Sequence, residues 1–330
     1  MERREFIRSI GACGGLFAVG GLAGGCRTAD CDDSPLAIAK RTFERRLSHE
    51  RLTLSYGHVK IGLPKPFSIL HISDTHLCAA YPDELPYDLA AAERRMQTFG
   101  GKQEEALRDS LDWAKRNVDY VLHTGDLIDY QTEANFDLVR KYFGDMAMGT
   151  MGNHEFSPTM WLTKEKVTFD DAWREKSRAA LTEAYPFDIS FSSKIVNGVN
   201  FVMLDDSFGT VSQSQVERFA AEAKKGLPMV LCMHVAFFTE DIWLMKERFW
   251  RNQDAKFRNG TPPAPSGDLK RQLSDRVTRD FIAYLKSEPL LKAILAGHEH
   301  MVLQDRFSPT AVEYLVGGNF AFHGQEVLFT

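Results

Sequence analysis

Phe67-Ser-Ile-Leu-His-Ile-Ser73, "FSILHIS", runs straight into Asp74-Thr75-His76. A short, nearly continuous apolar run suits a strand buried on both faces, as in sheets covered by helices. The abrupt change to Asp and His sets ionisable side chains where a buried strand ends. That change recurs along the chain. "DYVLHTG" (119–125) leads into Asp126, "DMAMGTM" (145–151) into Gly152-Asn153-His154-Glu155, "PMVLCMH" (228–234) closes on His234, and "KAILAG" (292–297) on His298-Glu299-His300. "NFVMLD" (200–205) and "VEYLVGG" (312–318) are further buried runs. Helical patterns over Lys102–Asn117, Ala134–Phe143, Ser212–Lys225 and Asp268–Ser287 separate several of them, with a capping stretch from Ser212 to Gln215. Strand–helix alternation, then strands with little helix, predicts a layered α/β protein with two packed sheets.

A chain of 330 residues has room for one large domain or two modest ones, and the runs read as one domain over 36–330. With 44% apolar and 26% charged residues the composition is that of a globular protein, not a disordered one. The net charge of −5 gives no electrostatic reason to expect a nucleic-acid duplex as partner. Five cysteines (13, 26, 31, 78 and 232) without a CxxC pair argue against a zinc ribbon or a disulfide scaffold.

Residues 1–26 read as an address. Arg3-Arg4-x-Phe6-Ile7-Arg8 resembles a twin-arginine export signal, with Glu2 departing from the usual Ser or Thr. The uncharged, glycine-dense run Ile10–Gly25 suits the apolar part of a signal better than a membrane span. Its end, "AGGC", resembles a bacterial lipobox in which Cys26 would be acylated, although Ala23 stands where Leu is preferred. The expectation is an exported protein, periplasmic or in the cell envelope. It would touch the membrane only through the signal or a lipid anchor at Cys26, with 27–35 as a linker.

Open α/β sheets bind ligands at the carboxyl ends of their strands. Here those ends deliver Asp74, His76, Asp126, Asn153, His234, His298 and His300 to one rim. Each has an ordinary explanation alone: Asp126 as a turn former, Asn153 as a left-handed residue, His234 as a core histidine. Five coincidences at successive strand ends do not. Seven oxygen and nitrogen donors exceed one tetrahedral ion. Two ions sharing Asp126, about 3.5–4 Å apart, would use them all. Imidazole with hard oxygen suits Mn, Fe, Zn, Co or Ni. Because asparagine ligates through a neutral carbonyl, two divalent ions would leave the site net positive and able to receive phosphate.

Asp74-x-His76, Gly125-Asp126, Gly152-Asn153-His154-Glu155, His234 and Gly297-His298-x-His300 together resemble the five-block signature of calcineurin-like metallophosphoesterases, over residues 67–302. The resemblance implies a four-layer α/β/β/α sandwich with two central mixed β-sheets flanked by helices. It further implies a dinuclear site: Asp74, His76 and His300 on one ion, Asn153, His234 and His298 on the other, Asp126 bridging. Water activated there would attack phosphorus in line, and His154 would protonate the leaving alkoxide or stabilise the transition-state charge. Asp129 and Glu155 would orient these groups. "GDLIDYQT" lacks the arginine of the protein Ser/Thr phosphatases in the block after Gly-Asp. Asp129 stands where purple acid phosphatases carry their iron-binding tyrosine.

Inserts at 78–101, 156–187 and 237–267 are expected to set specificity. The third interleaves Phe237, Phe238, Trp243, Phe249, Trp250 and Phe257 with Lys246, Arg248 and Arg251. It reads as a cap stacking on substrate, or as a helix packing its Phe238–Ile242–Met245–Phe249 face on the sandwich. The substrate expected is a small phosphate ester or head group. Phosphodiester hydrolysis leads, phosphomonoester hydrolysis of a nucleotide or sugar phosphate is the alternative, and a non-catalytic metal-binding surface protein is the outlier.

Overall fold

Nearly continuous apolar runs leave the central strands buried on both faces. A computed structural model describes residues 51–84, 89–144, 146, 148–157, 171–247 and 267–330. The export signal, the linker, Cys26, and Phe249, Trp250 and Phe257 of the third insert lie outside the described residues. The first sheet aligns β1 (Thr53–Val59), β11 (His323–Phe329), β2 (Phe67–Ile72), β3 (Tyr120–Thr124) and β4 (Met148–Thr150) in that order. The second aligns β5 (Phe191–Val196), β6 (Val199–Leu204), β7 (Met229–Cys232), β8 (Leu291–Ala296), β10 (Val312–Leu315) and β9 (Leu303–Arg306). Both are mixed: β2, β3 and β4 run parallel beside an antiparallel β11, and β6, β7, β8 and β10 run parallel between antiparallel β5 and β9.

The period of two along each strand assigns its side chains to two cores. Phe67 and Ile69 of β2 meet Phe201 and Met203 of β6 between the sheets, with Leu122, Val230, Leu295 and Phe329. There the Phe67 ring stacks on Phe329 at 4.9 Å. Leu70 and Ile72 point the other way, into a cluster with α2 (Gln103–Asn117), α3 (Glu133–Phe143) and α4 (Asp171–Ala184). Val202 and Leu204 likewise join α5 (Gln213–Ala223), α6 (Glu240–Met245) and α8 (Arg276–Ser287). Four layers result, α/β/β/α. Among the described residues, α1 (Leu89–Thr98) and α7 (Gly267–Ser274) are two further helices.

Ser212 and Gln215 form a reciprocal capping box on α5. The single helix expected over 268–287 is instead two, α7 and α8. Asp275 lies in extended backbone between them and accepts from the Thr278 amide at 2.8 Å, so a side-chain cap replaces helix continuation. In the third insert the described residues follow the packing alternative: Phe237 and Ile242 are buried in the second helix-side core, and Phe238 packs against it. Among the described residues no helix is long and apolar enough to cross a membrane.

Candidate metal centre

Beyond the ends of β2 and β3 the two chains stay zipped. Asp74 N donates to Gly125 O (3.0 Å), His76 N to Asp126 O (2.9 Å), Leu77 N to Leu127 O (2.9 Å) and Asp129 N to Leu77 O (3.0 Å). This pairing holds Asp74, His76 and Asp126 in left-handed backbone at φ 56°, 53° and 56°. His298 and His300 share that conformation, at 66° and 50°. Five of the seven non-glycine residues with positive φ among the described residues are thus expected ligands. Each costs on the order of 1–2 kcal/mol, a strain that gathers at functional sites. Gly152 presses its backbone on the cluster: a Cβ there would sit 2.2 Å from Asp126 Oδ1. No other residue fits that contact, which accounts for the glycine before Asn153.

Glu155 ties the third block to the second. Its carboxylate accepts from the amides of Asp126 (2.9 Å), Leu127 (2.7 Å) and Gly152 (2.8 Å), and from the Tyr185 hydroxyl (3.1 Å). Burial and the Asp126 charge push its pKa up to about 7, against the pull of these donors. His71 and His123, which precede the first two blocks, are packed residues bonded to Thr124 (2.8 Å) and Thr75 (2.9 Å). Burial pushes their pKa values down to about 4 and about 3.

Asp74, His76 and His300 present one cluster of donor atoms, and Asp126, His234 and His298 a second. In the first, His300 Nε2 is 3.2 Å from His76 Nε2 and 3.3 Å from Asp74 Oδ1. In the second, His234 Nε2 is 3.2 Å from Asp126 Oδ2 and 3.3 Å from His298 Nδ1. Atoms bound about 2.0–2.2 Å from one ion stand roughly 3–3.5 Å apart, so these separations fit. Asp126 Oδ2 is also 3.7 Å from His76 Nε2, which places it between the clusters.

The ring tautomers agree. His234 Nδ1 donates to Thr124 O at 2.7 Å, His76 Nδ1 faces Asp129 Oδ1 at 3.0 Å, and His298 Nε2 faces Asp268 Oδ2 at 3.3 Å. An acceptor on the outward nitrogen leaves the inward one with its lone pair, as metal-ligating histidines are held. Asn153 Oδ1 is buried and without a hydrogen-bond partner among the described residues. An orphaned carbonyl oxygen beside two histidine–carboxylate clusters is suited to ligate a cation. The donor set therefore suits two divalent ions.

Asp129 carries more than one bond. Besides His76 it lies 2.9 Å from His154 Nδ1, and Arg95 of α1 grips it with Nε (2.5 Å) and Nη2 (2.9 Å). Burial alone would lower the His154 pKa; the Asp126 charge and the bond to Asp129 raise it to about 9. The His154 amide donates to Asp126 Oδ1 at 2.8 Å. Phe99 stacks face to face on His76 at 4.1 Å and lies 5.0 Å from Phe320, which edges onto His300 at 5.1 Å. The sequence reading missed Arg95 and Asp268, and it set Lys246 among the third insert's cations facing substrate, whereas Lys246 pairs with Asp268 and Glu299. Their charge types were visible, but nothing local in the chain tied them to the strand ends.

Two histidine–carboxylate clusters that could hold metal, set at the strand ends of two helix-covered sheets, are the arrangement expected of a metallophosphoesterase. The calcineurin-like phosphoesterase family model matches residues 67–302, which include all five blocks, and the chain belongs to that family of phosphoric-ester hydrolases. The family typically binds a dinuclear metal site. The chain is also similar to solved structures, at low identity. A dimetal phosphatase from Danio rerio is 13% identical, with 79% of this chain and 91% of that one covered and a TM-score of 0.43. Phosphopantetheinyl hydrolase from Mycobacterium tuberculosis is 15% identical (82% and 93% covered, TM-score 0.37). The 5'-nucleotidase from Candida albicans is 11% identical (82% and 47% covered, TM-score 0.37). This chain spans about half the length of the 5'-nucleotidases it matches. A search of curated proteins gave no match.

Proposed function

We propose that this chain hydrolyses phosphodiesters with two divalent transition-metal ions, one held by Asp74, His76 and His300 and one by Asn153, His234 and His298, with Asp126 shared. The observation that carries the two-ion reading is Asp126 Oδ2, within 3.7 Å of His76 Nε2 and 3.2 Å of His234 Nε2. Bound there, the ions supply an activated water and neutralise phosphoryl charge. The chain supplies the proton. Asp129 engages His154 Nδ1, so the proton for the leaving alkoxide is the one on Nε2. Phe99 and Phe320 form an apolar wall beside the first cluster and limit water there.

The pairing of two nearby cations supports a diester as the substrate. Arg95 is paired with Asp129, and Lys246 with Glu299 and Asp268. Of these two cations neither is left to meet the second negative charge of a monoester dianion. Bis-p-nitrophenyl phosphate should therefore be cleaved at least about tenfold faster than p-nitrophenyl phosphate in kcat/KM with added Mn²⁺. One unmatched charge is worth about 1 kcal/mol or more. A chelator should abolish both activities. Preference for the monoester would establish the alternative, phosphomonoester hydrolysis, and no metal-dependent turnover of either would leave a metal-binding surface protein.

The twin-arginine pattern supports an exported, periplasmic or cell-envelope location, with Cys26 as a lipid anchor. A reporter fused after residue 35 should stay in the cytoplasm when Arg3 and Arg4 are both changed to Lys. Undiminished export of that variant would overturn the route.

A further inference from the structure

His298 uses its two nitrogens differently. Nδ1 lies inside the cluster, 3.3 Å from His234 Nε2, and Nε2 lies outside it, 3.3 Å from Asp268 Oδ2. Asp268 belongs to the first turn of α7 and is buried. Arg271 pairs with its other oxygen, and Lys246 Nζ is 3.6 Å from Oδ2. Lys246 follows α6 in the third insert, pairs with Glu299 next to His298, and sits 4.7 Å over the Phe238 ring. Two cations and a histidine N–H thus converge on one carboxylate. A carboxylate so held can only accept from Nε2–H, which leaves the Nδ1 lone pair turned inward.

We propose that Asp268 is the positioning residue for the second ion, holding His298 in its ligating tautomer and orientation, with Lys246 fixing Asp268 in turn. The proposal rests on the two-ion reading above. The first cluster has a counterpart, since Asp129 faces His76 Nδ1 and is gripped by Arg95. Each cluster thus has one histidine oriented by a carboxylate, and each carboxylate is steadied by a cation from a different insert. The two carboxylates differ in one respect. Asp129 also touches His154, so its loss disturbs metal and proton donor together, whereas Asp268 touches the metal side alone.

The test is Mn²⁺ binding by the purified full chain, followed by titration calorimetry and counted by elemental analysis after dialysis. The wild type should bind two ions. Asp268→Ala should keep one at wild-type affinity and weaken the other about 10–100-fold. Its kcat should recover at saturating Mn²⁺, because the loss lies in holding the ion. Lys246→Met should weaken the same ion by a smaller factor. Wild-type affinity for both ions in a folded Asp268→Ala protein would overturn the proposal, and so would equal weakening of both. If Asp268→Ala does not fold, Lys246→Met decides: an unshifted second ion overturns the assignment. A wild type that binds no ion overturns the two-ion reading, and this proposal with it.

Discussion

Changing Asp126 to asparagine is expected to cut metal-dependent turnover by on the order of 10³-fold or more, with the fold intact. The substitution is isosteric. Asparagine keeps an oxygen for the His154 amide, which Asp126 Oδ1 accepts at 2.8 Å. It replaces Oδ2, the atom set between His76 and His234, with an uncharged group that has no lone pair for a cation. Half of the donor set's negative charge goes, and with it the shared ligand. Two-metal assistance is worth several kcal/mol, and each 1.36 kcal/mol is tenfold in rate. Metal content and turnover should fall together, with an unchanged far-UV circular dichroism spectrum showing that the fold survives, since loss of bound metal by itself lowers the melting temperature. An Asp126→Asn protein that keeps two ions and wild-type turnover would remove Asp126 from the bridging role.

Changing His154 to alanine is expected to lower kcat by about 10²–10⁴-fold while both ions stay bound. The backbone amide on Asp126 is untouched, and Asp129 keeps His76 and Arg95, so the metal clusters retain their supports. What disappears is the imidazole. The loss should depend on the leaving group. A p-nitrophenyl ester releases a stable anion and needs little protonation, so its rate should fall least. An alkyl phosphodiester, which must expel a basic alkoxide, should show the full effect. Equal losses on both esters would assign His154 to charge stabilisation alone, and no loss would remove it from the chemistry.

Residue order carried a large part of this site. Strand burial forces apolar runs, and the polar residues that follow such runs stand out because a buried strand leaves so few positions for them. This is why Asp74, His76, Asp126, Asn153, His234, His298 and His300 could be read from the sequence as one candidate set, and why two packed sheets followed from the alternation of runs. Two other strands were less legible. β9 spans four residues that alternate between partly buried and exposed, and β11 joins the first sheet from the far end of the chain. The break at Asp275 was hidden because helical periodicity runs through it, and only the side-chain cap shows where the helix restarts.

Asp268, Lys246 and Arg95 mark the boundary most clearly. Each is one charged residue among 85 Lys, Arg, Asp and Glu, and sequence spacing does not separate a solvated charge from one buried against a histidine. Asp268 precedes His298 by 30 residues, and Arg95 precedes Asp129 by 34. These distances are crossed only when α1, α6 and α7 dock on the sandwich. The candidate ligands are local, standing where each strand ends. The tautomer of each ligand, and the charge standing behind it, depends on residues remote in the chain, so packing alone decides it.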